Sequence, residues 1–149
     1  MFIYLINKKY LLKLGYILSK TIKTDLTFFL IGNIGIGKTL LSKSIIGCYM
    51  RYKNIIKSPT YNVITSYFYK NIWFHHIDFF RITNITDMFN IDLYDYLNKN
   101  STVFIECYDQ HKIFFLKKNI SIYFFYINNL NTRCLLINSN VYTITKLLI

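Results

Sequence analysis

The segment Gly32-Asn33-Ile34-Gly35-Ile36-Gly37-Lys38-Thr39 constrains this chain more than any other feature. It matches the pattern G-x-x-x-x-G-K-[ST] at every fixed position. Glycines admit backbone angles that a Cβ disfavours, so successive N–H groups can converge on an anion. The apolar run Thr27–Ile31 before it predicts a buried strand, and Lys38–Met50 after it predicts a helix. Strand, glycine-rich turn and helix together predict a phosphate-binding loop.

The loop predicts a site for ATP with Mg²⁺. Lys38 would place its ammonium on the β- and γ-phosphates, and the positive N-terminal end of the following helix would add to the anion site. The Thr39 hydroxyl is a predicted magnesium ligand. The residues predicted to contact the nucleotide are Gly32, Asn33, Ile34, Gly35, Ile36, Gly37, Lys38, Thr39 and Leu40.

Two carboxylates are predicted to support the loop. Asp78 ends the run Trp73–Asp78, and Glu106 ends the apolar run Val103–Glu106. Since ligands of α/β sheets bind at the carboxyl ends of the strands, both acids are predicted to hold magnesium directly or through water. The predicted metal ligands are Thr39, Asp78 and Glu106. The predicted catalytic residues are Lys38, Thr60, Asp78 and Glu106; Thr60 follows Pro59 in a loop, where nucleotide switches sense the γ-phosphate.

The remaining pattern predicts a mixed order of helices and strands. Further predicted elements are a helix over Lys8–Lys20, a hairpin of Asn62–Tyr69 and Ile72–Asp78 turning at Lys70-Asn71, short helices within Thr83–Leu97, and strands at Thr102–Ile105, Ile120–Ile127 and Cys134–Ile137. This order predicts an α/β fold with a P-loop NTPase-like central β-sheet flanked by helices, in a single domain over 1–149. His75 and His76 should face opposite sides of their strand, with one in the core, and Trp73 is also predicted to be core.

Charge and cysteine usage narrow the class of protein. The 18 Lys and Arg against 7 Asp and Glu give a formal charge of +11, which fits either a polyanionic partner or a compositional drift towards A/T-rich codons. Cys48, Cys107 and Cys134 form no C-x-x-C pair, which argues against a disulfide framework or a structural zinc and fits a reducing cytoplasm. No apolar run approaches the ~18 residues of a membrane span, so no membrane association is expected.

The preferred nucleotide is predicted from the absence of the two motifs that GTP-binding proteins require. Small GTPases use an Asn-Lys-x-Asp segment, and Asn98-Lys99-Asn100-Ser101 lacks its acid. They also use Asp-x-x-Gly, and Asp78-Phe79-Phe80-Arg81 lacks its glycine. These differences favour ATP over GTP.

Several motifs taken together resemble the TsaE family, small bacterial ATPases of tRNA threonylcarbamoyladenosine biosynthesis. The segments that carry the resemblance are Gly32–Thr39, Lys57-Ser58-Pro59-Thr60-Tyr61, His76-Ile77-Asp78-Phe79-Phe80-Arg81 and Ile105-Glu106. Their order and spacing both match, over roughly residues 11–106, and the C-terminal strands at 120–138 match loosely. The chain departs from the family at Phe80, where a tyrosine is usual, and at Cys107-Tyr108, where tryptophan usually follows the glutamate.

The resemblance implies an ATPase subunit that acts with the TsaB–TsaD heterodimer and meets tRNA indirectly through that complex. TsaD would transfer the threonylcarbamoyl group to the adenosine beside the anticodon, while the TsaE-like subunit would act as a motor or reset switch. Two other functions stay open from the residues alone. One is a small P-loop kinase of a nucleotide or metabolite, and the other is a nucleotide-gated tRNA-binding module that uses the +11 charge.

Overall fold

A computed structural model describes residues 2–5, 7–51, 56, 63–79, 93–97, 100–107, 119–127 and 132–139. Within these ranges the elements are, in chain order, β1 (Phe2–Leu5), α1 (Lys8–Ser19), β2 (Leu26–Ile31), α2 (Lys38–Met50), β3 (Ile64–Tyr69), β4 (Ile72–Asp78), α3 (Leu93–Tyr96), β5 (Ser101–Cys107), β6 (Asn119–Ile127) and β7 (Thr132–Ser139). The helix over Lys38–Met50 has the bounds that the sequence predicts, and the other predicted elements that fall in these ranges agree within about two residues at each end.

The described strands form one seven-stranded sheet in the order β1-β7-β6-β2-β5-β4-β3. Its centre is parallel, because β2 pairs with both β5 and β6, and β5 pairs with β4. The flanking pairs β3–β4, β6–β7 and β1–β7 are antiparallel. Parallel strands end at the same edge of a sheet, so β2, β5 and β4 bring their C-terminal residues together. The predicted α/β fold with a central sheet and flanking helices is confirmed.

Helix α1 begins where the Asn7 side chain accepts hydrogen bonds from the backbone amides of Lys9 at 2.9 Å and Tyr10 at 3.3 Å. Such a cap satisfies amide groups that have no partner within the helix. Leu11, Leu14 and Leu18 recur at helical spacing and are buried in the core. The polar cap and this apolar stripe therefore fix both the start and the orientation of the helix.

The two long helices pack closely at Gly15. A Cβ at this position would lie 2.2 Å from the Ser44 Oγ, so only a residue without a side chain permits this approach. The Ser44 hydroxyl in turn donates to the Leu12 carbonyl at 3.2 Å. This contact holds α2, and with it the loop at the start of α2, against α1.

Both faces of the central strands are buried. On the face covered by α1 and α2, the Phe28 ring of β2 stacks on the Phe104 ring of β5, with centroids 4.7 Å apart. On the opposite face, Phe29, Ile31 and Ile105 belong to a second apolar cluster. Side chains alternate between these faces along a strand, so even-numbered residues of β4 and β5 face the helices.

The structure refines or corrects the sequence predictions in three places: the turn between β3 and β4, the strand β1 and the position of Trp73. Lys70 and Asn71 have φ of 48° and 62°, which gives β3 and β4 the tight two-residue turn that was predicted. The strand Phe2–Leu5 was not predicted, because it forms by pairing with the distant β7. The prediction that Trp73 is core is wrong: Trp73 is 46% exposed and packs its ring beside Phe68 at 4.9 Å.

His75 lies on the face of β4 opposite the helices, as predicted for one of the two histidines. Its ring stacks on Trp73 with centroids 5.8 Å apart, and its Nδ1 lies 2.8 Å from the Ser66 hydroxyl. Burial lowers the pKa of His75 below 6.5, because charging the ring would require removing a cation from water.

We expect this lowered pKa to make stability depend on pH. Above 6.5 the ring is neutral in the folded and unfolded chains, so its contribution is complete. As the pH falls below that value, the unfolded chain binds the proton more readily and the folded state loses stability. Thermal unfolding between about pH 7.5 and about pH 5.5 tests this, with His75→Phe as the control that keeps a stacked ring but cannot titrate. An equal fall of Tm in both proteins would contradict the assignment.

Candidate nucleotide-binding site

The loop between β2 and α2 has the backbone shape that its glycines predict. Gly32, Gly35 and Gly37 have φ of 151°, 73° and 118°. Gly32 is the most constrained of them, because a Cβ there would lie 2.9 Å from both the Cβ and the carbonyl oxygen of Phe124, while a Cβ at Gly37 would lie 3.0 Å from Leu11 Cδ2. Since α2 begins at the next residue, its first N–H groups face the loop and have no partner within the helix. This is the arrangement that binds phosphate at a helix N-terminus.

Lys38 is buried and its ammonium is held by the loop itself. The Nζ atom donates to the Gly32 carbonyl at 2.6 Å and to the Asn33 carbonyl at 2.9 Å. Burial lowers the pKa of Lys38, while the nearby acids Glu106 and Asp78 act in the opposite direction. The lysine thus lies at the loop, close to two carboxylates, with its charge directed away from solvent.

Glu106 is the centre of a buried polar cluster on the helix-facing side of β5. Its Oε2 accepts from the Thr39 hydroxyl at 2.6 Å, and its Oε1 accepts from the Ser42 hydroxyl at 2.9 Å. His76 Nε2 forms a hydrogen bond with the same Oε1 and lies 3.2 Å from the Ser42 hydroxyl. The structure therefore brings Thr39 and Glu106 into direct contact, and their role as shared magnesium ligands stays a prediction.

Ser42 and His76 are members of this cluster that the sequence reasoning did not assign to the site. Ser42 lies three residues after Thr39 on α2, so the two hydroxyls point in similar directions. His76 lies two residues before Asp78 on β4 and thus shares its face of the sheet. Both spacings are visible in the sequence, but only the pairing of β4 with β5 brings these side chains to Glu106.

The electrostatics of Glu106 keep it ionised. The side chain is 2% exposed, and burial alone would raise its pKa. The hydrogen bond and charge of His76, together with the Thr39 and Ser42 hydroxyls, outweigh burial and hold the pKa below its usual value. A carboxylate that stays charged at neutral pH suits a divalent cation.

Asp78 and Glu106 are direct neighbours across β4 and β5. Glu106 in turn pairs with Leu30 of β2, two residues before the loop. The loop is also joined to β5, because the Gly32 amide donates to the Cys107 carbonyl at 3.1 Å. Asp78 is the last residue of its strand, whereas β5 extends one residue beyond Glu106, so the prediction that Glu106 terminates the strand is one residue short.

The other predicted site residues occupy different environments. Asn33, Ile34 and Gly35 are exposed at the outer part of the loop, whereas Ile36 is buried in the core. The side chain of Leu40 is half-buried and faces a groove between α1 and α2. Thr60 lies outside the described residues, as do Ser58, Pro59, Phe80, Arg81 and Tyr108.

The donors that the site brings together suit magnesium with a polyphosphate. A hydroxyl and two carboxylates offer only oxygen, which hard cations prefer, and Mg²⁺ usually takes its remaining ligands from phosphate and water. The described residues contain no group of three or more His, Cys, Asp and Glu that could hold a metal by themselves. Thr39, Glu106 and Asp78 are therefore suited to share a cation with a nucleotide.

Comparison with known proteins identifies the family to which this arrangement belongs. The family model described as "Threonylcarbamoyl adenosine biosynthesis protein TsaE" matches residues 5–134. The chain belongs to the TsaE family. The family is one of tRNA threonylcarbamoyladenosine biosynthesis, so the resemblance predicted from the sequence is confirmed.

Relatives in two bacterial groups agree with this assignment. TsaE of Rickettsia conorii is 28% identical over 88 residues, which cover 59% of this chain and 50% of the relative. TsaE of Haemophilus influenzae is 28% identical over 78 residues, which cover 52% of this chain and 49% of the relative. The chain thus spans about half the length of the curated relatives it matches.

A solved structure shares the fold. YdiB from Bacillus subtilis superposes with a TM-score of 0.68 at 13% identity, covering 99% of this chain and 90% of YdiB. At this identity the likeness concerns the fold alone.

Cys107, which stands where TsaE proteins usually have tryptophan, is buried and packs in the apolar cluster on the face opposite the helices.

Two further observations concern the cysteines and the length of the apolar helices. Cys48, Cys107 and Cys134 are all free thiols. In the part of the chain that the structure describes, no helix has the length and apolar character needed to cross a lipid bilayer.

Proposed function

We propose that this chain binds ATP with Mg²⁺ and hydrolyses it as the TsaE subunit that acts with the TsaB–TsaD heterodimer in tRNA modification. The observation that carries the proposal is the 2.6 Å hydrogen bond from Thr39 to Glu106, beside a lysine buried in a glycine-rich loop. Thr39 and Glu106 are distant in sequence, and the fold brings them together at the end of the phosphate-binding loop. A hydroxyl and a carboxylate in this place offer two oxygen ligands for a cation that is shared with a nucleotide. A role in tRNA modification as part of this complex would place the protein in the cytoplasm.

Each residue of the site has a distinct role in this proposal. The amides of Gly32–Thr39 and the Lys38 ammonium bind the phosphates and neutralise the charge that develops on them. Thr39 and Glu106 hold the cation, which would polarise the terminal phosphate when bound. Asp78 assists through a water or orients the attacking water, and Thr60 contacts the γ-phosphate.

Hydrolysis by the isolated chain should be slow, because the described residues offer no arginine at the loop. Arg51 lies beyond the C-terminal end of α2, about 20 Å from the loop at 1.5 Å per residue, and Arg133 is on β7, which β6 separates from the loop-bearing strand β2. An arginine that stabilises the transition state accelerates such reactions by about 10³ or more. A partner that supplies such a charge or orders a loop would therefore stimulate the enzyme.

The test is the ATPase rate of the chain with and without TsaB–TsaD. We expect slow turnover alone and faster turnover with the heterodimer, with magnesium required in both cases. The heterodimer without this chain is the control for contaminating activity. Fast hydrolysis by the isolated chain that does not change when the heterodimer is added would contradict the proposal. Transfer of the phosphoryl group to a nucleoside or metabolite, instead of to water, would contradict it as well.

A further inference from the structure

A groove of about 740 Å³ runs between α1 and α2 on the side of the helices that faces away from the sheet. The residues that line it are Leu12, Lys13, Tyr16, Leu40, Lys43, Ser44, Gly47, Cys48 and Arg51. The close contact at Gly15 and Ser44 sets the spacing of the two helices here. This volume is enough to take two or three side chains of a docked segment.

The groove combines an apolar floor with a cationic rim. Leu12 is 40% exposed and Tyr16 is 53% exposed, so both side chains offer apolar surface at the groove. Lys13 and Arg51 are exposed beside them, and Lys43 is half-buried. An apolar floor with positive edges is complementary to a segment that carries apolar side chains flanked by carboxylates.

The two helices that form the groove carry charge of one sign. Neither α1 nor α2 contains an acidic residue. Asp25, in the turn before β2, is the single acid in the sequence from residue 1 to residue 77. The cations of the rim are therefore not neutralised by acids on their own helices, and their combined field attracts an acidic partner over distances near the Debye length.

We propose that this groove docks an acidic segment of the TsaB–TsaD heterodimer that inserts apolar side chains between α1 and α2. The inference rests on the proposed function, and it adds the surface of this chain and the chemistry of the segment that binds there. RNA fits the groove less well, since phosphate recognition favours the planar fork of arginine and the rim has one arginine. Stacking of a base on Tyr16 would also compete with Lys20, whose ammonium lies 4.5 Å from the ring centroid.

The groove also adjoins the nucleotide site. Leu40 lines the groove and directly follows Thr39, the proposed magnesium ligand, in the first turn of α2. A segment seated in the groove would contact the same helical turn that holds Thr39. Docking at this place would therefore bear on the geometry of the cation site without covering the loop.

The test is the affinity for TsaB–TsaD of a charge-reversed groove, Lys13→Glu/Lys43→Glu/Arg51→Glu. The matched control is Lys8→Glu/Lys9→Glu/Lys70→Glu, which changes the net charge equally at exposed positions outside the groove. We expect the groove variant to lose at least about tenfold in affinity by calorimetry and the control to lose much less. Leu12→Ser, which changes the floor without changing charge, should also weaken binding. We expect all variants to bind a fluorescent ATP analogue as tightly as the wild type does, and this control shows that they are folded.

Each outcome decides between explanations. If the wild-type chain binds the heterodimer and the groove variants bind equally well, the groove proposal is overturned while the proposed function stands. If the wild-type chain does not bind the heterodimer at all, both fail together. If the groove variants keep the heterodimer but lose salt-dependent binding of tRNA in a mobility-shift assay, the occupant is RNA and the proposal is wrong.

Discussion

Replacing Lys38 with methionine is expected to weaken ATP binding by about 100-fold, because a charge-assisted contact to phosphate contributes roughly 1.5–3 kcal/mol. Methionine keeps an unbranched apolar stem in the space that the lysine stem fills, so the change removes the ammonium with little loss of packing. The hydrogen bonds to the Gly32 and Asn33 carbonyls disappear with it. The effect should therefore concern the phosphates and the loop, and not the core.

Titration with a fluorescent ATP analogue measures the change, and thermal unfolding without nucleotide shows that the variant is folded. Lys43→Met is the matched control, since it removes a lysine from the same helix at a position that faces the groove. We expect the control to bind nucleotide like the wild type. An affinity of Lys38→Met within about threefold of the wild type would remove Lys38 from the site.

Replacing Glu106 with alanine is expected to lower the free energy of unfolding by about 3 kcal/mol and Tm by about 10 °C. The variant leaves the Thr39 and Ser42 hydroxyls and His76 Nε2 without the carboxylate that now accepts from them in a buried place. Each buried polar group that loses its partner costs about 1–3 kcal/mol, which sets this magnitude. Urea unfolding of the nucleotide-free protein measures it.

Glu106→Gln separates the structural role of this residue from its proposed role as a metal ligand. The amide keeps an acceptor for one hydroxyl, so we expect a smaller loss of stability than in the alanine variant. It loses the negative charge, so the gain in nucleotide affinity on adding Mg²⁺ should shrink by about tenfold or more. If Mg²⁺ strengthens nucleotide binding equally in the wild type and in Glu106→Gln, Glu106 is a structural residue and the metal assignment is wrong.

A double-mutant cycle with His76→Ala tests the cluster independently of any ligand. His76 is fully buried and forms a hydrogen bond with Glu106, so the two substitutions share one interaction. We expect a coupling of about 1 kcal/mol or more, where independent sites would show additive effects. Additive effects would mean that the two side chains do not stabilise each other.

The parts of the site that are contiguous in sequence were predictable from it. The loop Gly32–Thr39 and the helix after it follow from local chemistry, since glycine positions, a lysine and the spacing of apolar residues act within a few residues of each other. The structure gives this segment the predicted element bounds and positive φ angles. Asp78 and Glu106 were each predicted to end a strand at an edge of the sheet, and the structure adds that they are direct neighbours across β4 and β5.

The rest depends on contacts that the sequence does not display. Ser42 and His76 are separated by 34 residues, and the sequence alone assigned a core position to one histidine without naming its partner. The exposure of Trp73 was missed because an aromatic residue in an apolar strand is usually buried. Similarly, β1 exists through its pairing with β7, near the other end of the described chain.

The strand order has a consequence for synthesis on the ribosome. β2 carries the loop and β4 carries Asp78, yet the strand that lies between them is β5, which is translated after both. While β5 is still unmade, a nascent chain holds the loop, Asp78 and His76 but lacks the strand that would join them and the carboxylate of Glu106. The proposed cation site, which needs Glu106, therefore cannot be complete until β5 has been made and has paired between β2 and β4.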